Sequence, residues 1–374
     1  MRGKRLRRVF ASITTILTIS CWLFASLSSS PERIATLTLA VPSSEIPLPL
    51  QLVLAYGWQL QVAKEGIGHP WWTLGGFGVT FAAGEDRVDE LKKLLLQIWR
   101  RTDWDPLIVK RARFLASQQI LAWKRDPMEW LRWQARIIAM GEQLESLAPE
   151  QPNRVRLDDI SEVLRKLSRC DLMLGHCDLA TQSQTFTPVT VTPSIRHKFF
   201  RQTLKLPSSQ RTHGLWWMLV KGDFAIAMVV GELLGGGTGA KWYQLLRSEK
   251  PIAYHAIAQI QWTPVGSELT LYAATSPENL KLAHQQAQKL LLNLRRGEID
   301  SSEFERARKL AELQLRKMAS DPIKSSQIKA IWLMAGHSLE EWENLPKRLQ
   351  SLSLEEVRAF CRSLPPAAEI LSLP

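Results

Sequence analysis

Asp105-Pro-Leu-Ile-Val-Lys-Arg-Ala-Arg-Phe-Leu-Ala-Ser-Gln-Gln119 lies, at a shift of 195 residues, on Asp300-Ser-Ser-Glu-Phe-Glu-Arg-Ala-Arg-Lys-Leu-Ala-Glu-Leu-Gln314. The match runs without a gap from Asp105–Gly141 to Asp300–Gly336 and holds 11 identities in 37 positions, so two halves of the chain share one ancestral unit. Arg111-Ala-Arg113 falls on Arg306-Ala-Arg308, Asp126-Pro127 on Asp321-Pro322, and Gly141 on Gly336. Each copy reads as a long helix, an Asp-Pro break and a second helix, because proline suits a helix start and disrupts a helix interior.

Working outward, each copy is preceded by a strand, Gly78–Ala83 or Glu268–Ala274, running into an amphipathic helix, Asp86–Trp99 or Pro277–Leu294. Downstream, Leu157–Val163 mirrors Leu352–Val357, and final strands are expected at Asp171–Gly175 and Glu369–Leu373. The fold class is therefore α+β: two homologous sandwich-like halves with strands and helices mixed. The first half spans residues 32–180, the linker 181–196, rich in Thr, Ser, Gln and Pro, and the second half 197–374. On these bounds the first half is 29 residues shorter, a truncation near its start.

The N-terminus reads differently. Arg2, Lys4, Arg5, Arg7 and Arg8 precede a mostly apolar run, Val9–Leu27, and a small-residue break, Ser28–Pro31. This is the order of a secretory signal, so residues 1–29 are read as a signal peptide or a retained membrane anchor and the body as exported, facing outside the cytoplasm. Arg7-Arg8 makes a weak twin-arginine hint, and the residues before Cys21 make a poor lipobox.

The chain has 374 residues, 22% of them charged and 45% hydrophobic, with a net charge of +12. The N-terminal cations account for much of that excess, and the remainder is too mild to indicate nucleic-acid binding. Four Cys make no disulfide scaffold in a chain of this length. Cys170 and Cys177 bracket an expected strand that would hold them ~23 Å apart, beyond disulfide reach. His176-Cys177-Asp178 lacks a second cluster at ligand spacing. Among the 15 Trp, the pairs Trp71-Trp72 and Trp216-Trp217 suit either a core or a peptide groove, with core the commoner outcome for strand aromatics.

Leu233-Leu-Gly-Gly-Gly-Thr-Gly-Ala-Lys-Trp-Tyr-Gln-Leu-Leu-Arg247 and the following Ser248–Tyr254 resemble the insulinase/pitrilysin family of zinc metallopeptidases, which includes the mitochondrial processing peptidases. The resemblance extends through Asp300–Phe360 and is faint in the first half. It implies duplicated α+β halves enclosing a chamber. It also implies an inverted zinc motif, His-x-x-Glu-His, on an early first-half helix. No two of the seven His make that motif, and the corresponding stretch, Ile46–Tyr56, carries no His or acid. No metal site or cofactor is therefore expected in this chain. Zinc would belong to a homologous zinc-motif subunit, forming a heterodimer.

The resemblance further implies that Arg247 and Tyr254, seven positions apart, hold an unfolded peptide substrate opposite the partner's zinc. A phenol can donate to a developing oxyanion, and a guanidinium fork can hold peptide carbonyls. For these two residues the plain alternative is an ion pair with Glu249 and a core Tyr. Gly235, Gly236, Gly237 and Gly239 resemble a substrate-receiving loop, with a helix C-cap and turn as the alternative. As a phosphate loop the run fails, because Lys241 stands outside the required order. Two functional classes follow: a non-catalytic, substrate-binding subunit of a heterodimeric peptidase, and an inert pseudo-peptidase serving as scaffold or peptide binder.

Overall fold

The computed structural model describes residues 34–42, 46–63, 66–168, 174–177, 200–205, 211–249 and 251–373. The signal segment, the linker and Cys170 lie outside them, and so does the start of the strand expected at Asp171–Gly175, which forms at Leu174–Cys177.

The first half runs β1 (Ile34–Pro42), α1 (Leu48–Val62), β2 (Ile67–Thr73), β3 (Gly76–Gly84), α2 (Val88–Arg100), α3 (Pro106–Arg125), α4 (Pro127–Met140), α5 (Leu157–Leu167) and β4 (Leu174–Cys177). The second runs β5 (Arg201–Lys205), β6 (Thr212–Val220), α6 (Phe224–Gly235), β7 (Ala253–Thr263), β8 (Gly266–Thr275), α7 (Leu280–Arg295), α8 (Ser301–Ser320), α9 (Pro322–Met334), α10 (Leu339–Ser351), α11 (Leu354–Arg362) and β9 (Ala368–Leu373). The sheets are ordered β2-β3-β1-β4 and β5-β9-β6-β8-β7. Only the β5–β9 pair is parallel among the described strands, and β5 has no described counterpart in the first sheet.

The duplicated sequence forms duplicated helices for a local reason. Asp126 accepts from the backbone N–H of Met128 and Glu129, and Asp321 from that of Lys324, each with proline at the first helical position. Gly141 and Gly336 follow these helices with φ of 75° and 88°.

The same two helices tie the halves together. α9, from the second half, packs on β1, β3 and β4 of the first sheet, while α4, from the first half, packs on β6 and β9 of the second. Between the separate cores of the halves lies a third apolar layer, in which Leu131, Ala135 and Ala139 of α4 meet Leu215, Trp217, Tyr272 and Ile370. Polar contacts reinforce both crossings. Thr38 Oγ1 lies 2.7 Å from Ser326 Oγ, and Arg136 Nε donates to Glu268 at 2.9 and 3.0 Å with both residues buried. Trp217 Nε1 donates to the same carboxylate, so the buried charge pair is well satisfied.

The truncation has a definite position. β1 and β6 begin 178 residues apart, β3 and β8 190 apart, and α3 and α8 the full 195. The shortfall falls largely between the first helix and the next strand: residues 63–66 make that connection in the first half, residues 236–252 in the second. The longer connection carries the glycine run and Arg247.

Candidate functional site

α6 ends against β7 so closely that a Cβ at Gly235 would stand 1.8 Å from Ala258 O. A Cβ at Gly236 would stand 2.5 Å from Glu232 O. Gly237 has φ +79°, the left-handed region that glycine enters at little cost. Arg306 Nη1 donates to Gly236 O at 3.0 Å and fixes the turn from α8. Three of the four glycines thus have a steric or conformational reason to be glycine. Gly239 has neither, its nearest neighbour being Arg306 at 3.8 Å, and Gly237–Gly239 is exposed.

Beyond the turn, buried Trp242 anchors the chain by donating from Nε1 to Tyr272 O at 2.8 Å. Gln244–Ser248 then forms one wide turn in which Glu249 N donates to Gln244 O at 2.8 Å. The extra residue of such a π turn re-aims side chains, and π turns recur at functional sites. With Leu246 buried as the pivot, Arg247 is exposed and swings onto the next strand, where Nη1 donates to Ala253 O at 2.8 Å and to Tyr254 O at 3.1 Å.

Tyr254 sits on an irregularity. Ala253 pairs with Thr275 and His255 with Ala274, leaving Tyr254 as the extra residue of a β-bulge on β7, the outermost strand of its sheet. Bulges bend a strand and redirect a side chain. Tyr254 is 50% exposed, so it is no core tyrosine, and the Arg211 guanidinium carbon lies 4.3 Å from its ring centroid. Among the described residues Arg247 makes no ion pair with Glu249. The structure thus brings Arg247 and Tyr254 together through the backbone of the bulge, and adds Arg211, 43 positions away in sequence.

Inside the sheet from this pair, His213 Nδ1 and Tyr272 Oη are 2.8 Å apart. Burial, reinforced by the positive neighbours Arg211 and His255, lowers the His213 pKa to about 4, so the ring is neutral near pH 7. Burial also raises the Tyr272 pKa well above the usual phenol range.

The place where the resemblance would put zinc does not fit that metal. α1 buries Leu48, Leu50, Leu52, Val53, Leu54 and Trp58, and offers no His, Asp or Glu. Across the gap to α3, Tyr56 Oη donates to Gln119 Oε1 at 2.8 Å, and burial raises the Tyr56 pKa to about 12. Among the described residues no group of three His, Cys, Asp or Glu side chains could hold a metal ion, and no helix is long and apolar enough to cross a membrane.

Residues 220–310 match the family profile of the peptidase M16 inactive domain. This span contains the signature read from Leu233 to Tyr254, and it bears out the resemblance to non-catalytic insulinase-family proteins. No curated protein matches the chain. Among solved structures, the peptidase M16 inactive domain from Pseudomonas fluorescens superposes with a TM-score of 0.62 at 14% identity, over 92% of this chain and 94% of that one. The periplasmic protease PqqL from Escherichia coli gives a TM-score of 0.62 at 12% identity, over 93% of this chain and 44% of PqqL. A chain of complex III2 from Candida albicans gives 0.68 at 14%, over 91% and 90%. At such identities the structural likeness establishes the fold, an M16-like pair of halves, and nothing finer.

Proposed function

We propose that this chain is the non-catalytic, substrate-binding subunit of an exported heterodimeric zinc metallopeptidase, in which Arg247 and Tyr254 hold an unfolded peptide opposite the zinc of a homologous subunit. The observation that carries the reading is the half-exposed Tyr254 on an edge-strand bulge whose carbonyls are clamped by Arg247. A core tyrosine would need neither the bulge nor the clamp. Arg247 spends Nη1 on its own chain and keeps its other nitrogens for a substrate carbonyl, while the Tyr254 hydroxyl donates to the scissile carbonyl as it gains negative charge. The exposed glycines Gly237 and Gly239, with Gly235 and Gly236 behind them, line the approach on the substrate side. The basic, then apolar, N-terminus supports export, by a cleaved signal or a retained anchor.

The test is co-expression with a homologue bearing the inverted zinc motif, followed by assay on an unfolded peptide. The chain alone should hold no stoichiometric zinc and cleave nothing, the pair should cleave, and the double variant Arg247→Ala/Tyr254→Phe should not. Full activity of that double variant would favour the second reading, an inert scaffold or peptide binder, which draws support from the shortened first half.

A further inference from the structure

A cavity of about 380 Å³ opens between the two halves, within the roughly 300–1,000 Å³ typical of ligand sites. The duplication gives it a counterpart. The turns after β2 and β7 share one register, Thr73 pairing with Gly76 and Thr263 with Gly266, so Trp72 and Trp262 are equivalent. At the 195-residue shift Gln119, Trp123 and Trp133 become Gln314, Met318 and Ile328. Tyr56 stands eight residues after the start of α1, and Glu232 eight residues after the start of α6. Glu232, Trp262, Gln314, Met318 and Ile328 all line the cavity, so it occupies in the second half the place that Tyr56 and Gln119 hold in the first.

The first half fills that place. The Trp123 and Trp133 rings stack with centroids 4.2 Å apart, and Trp72 meets Trp123 edge-on at 6.0 Å. Tyr56 leans on Trp72 at 5.4 Å while bonding Gln119. In the second half a methionine and an isoleucine replace the two stacked indoles, which leaves room, and a carboxylate replaces the phenol.

Glu232 decides what the opening suits. It is half-buried and, among the described residues, its carboxylate makes no hydrogen bond or ion pair. Burial raises its pKa against the opposing charge of Arg306, whose Nη1 donates to Gly236 O. A charge withdrawn from water without a partner is unfavourable, and a cation beside it relieves that cost. Lys324, the other charged residue of the lining, is 63% exposed and lies 3.8 Å from Asp321, so its charge is largely in solvent and already faces an acid. Trp72 and Trp262, with the flexible thioethers of Met228 and Met318, suit an apolar body, and an indole face also attracts a cation.

We propose that this cavity binds a small organic cation, an amine on an aromatic or bulky apolar body, with the ammonium donating to Glu232 and the body against Trp72 and Trp262. The site needs neither a partner subunit nor Arg247 and Tyr254, so it stands apart from the function proposed above.

The test uses the full chain alone and isothermal titration calorimetry with probes of one shape: 1-naphthylmethylamine, 1-naphthylmethanol and 1-naphthoate. A charge-assisted hydrogen bond should make the amine bind at least about tenfold more tightly than the alcohol, with the carboxylate weakest. Glu232→Gln should bring the amine down to the level of the alcohol. Met318→Trp/Ile328→Trp, which installs the two indoles of the first half, should abolish binding of every probe while circular dichroism shows an intact fold. Met318→Trp alone makes the same measurement if the double variant misfolds. No binding to the native chain, equal binding of amine and alcohol, or tightest binding of the carboxylate overturns the proposal. An amine preference that survives in Glu232→Gln, or binding that survives in a folded filling variant, overturns it as well. A lysine-bearing peptide that displaces the amine and binds more tightly would assign the site to a side chain of a protein ligand and overturn the free cation.

Discussion

The proposed function gives Tyr254 and Arg247 separable roles. A phenol that donates only to a developing oxyanion lowers the barrier without tightening ground-state binding, so Tyr254→Phe in the heterodimer should lower kcat by roughly 10²–10³-fold with KM little changed. Arg247 clamps the bulge and, in the proposed complex, would also face substrate, so Arg247→Ala should raise KM and, by loosening Tyr254, lower kcat as well. Steady-state kinetics of the two single variants separates these patterns. His213 supplies a second expectation. Its pKa is lowered from 6.5 to about 4, so below pH 6.5 the unfolded chain takes up a proton that the folded chain refuses. Stability therefore falls as pH drops from about 6.5 and this contribution levels off near 4. Denaturant unfolding across that range should show a shallower decline in His213→Gln than in the native chain.

At the scale of elements, the connection from α6 to β7 concentrates the strictest geometry. Gly235→Ala forces a Cβ into Ala258 O and should cost about 1–3 kcal/mol, the range of overpacked sites, and displace the turn that aims Arg247. Gly237→Ala meets no neighbour and should cost only the ~1–2 kcal/mol of left-handed backbone. Chemical denaturation ranks the two. The repeated helices were legible in the sequence because Asp-Pro and Gly are local signals: the aspartate caps, the proline starts and the glycine stops within one element. The π turn and the bulge at Tyr254 were not, because each is an extra residue relative to a partner segment, and a chain read alone shows no partner. Arg211 against Tyr254, Tyr56 against Gln119 and the cavity walls lay hidden for the same reason, their members coming from elements far apart in sequence. Of the tryptophans, Trp71, Trp216 and Trp217 are core as strand aromatics usually are, and Trp71 with half-buried Trp72 also lines a cavity of about 380 Å³.

The whole molecule depends on the crossing of α4 and α9. Arg136 and Glu268 form the buried ionic contact of one crossing, and removing one partner leaves the other charge uncompensated. Arg136→Met should therefore destabilise by about 3–5 kcal/mol, and Arg136→Met/Glu268→Met should recover much of that loss. Thermal unfolding should stay a single transition in the native chain, since each sheet is packed by helices of its own half and also by a helix from the opposite half. That mutual covering also speaks to ancestry. A protein made of one such unit would leave its sheet without the helix that the opposite half lends and its own lent helix unsupported, and the simplest remedy is a twofold pair of identical subunits, each lending its helix to the other. Fusing the two copies tethers that loan within one chain. Each copy is then free to diverge at its own first connection, one shortening to four residues and the other keeping the long turn that carries Arg247.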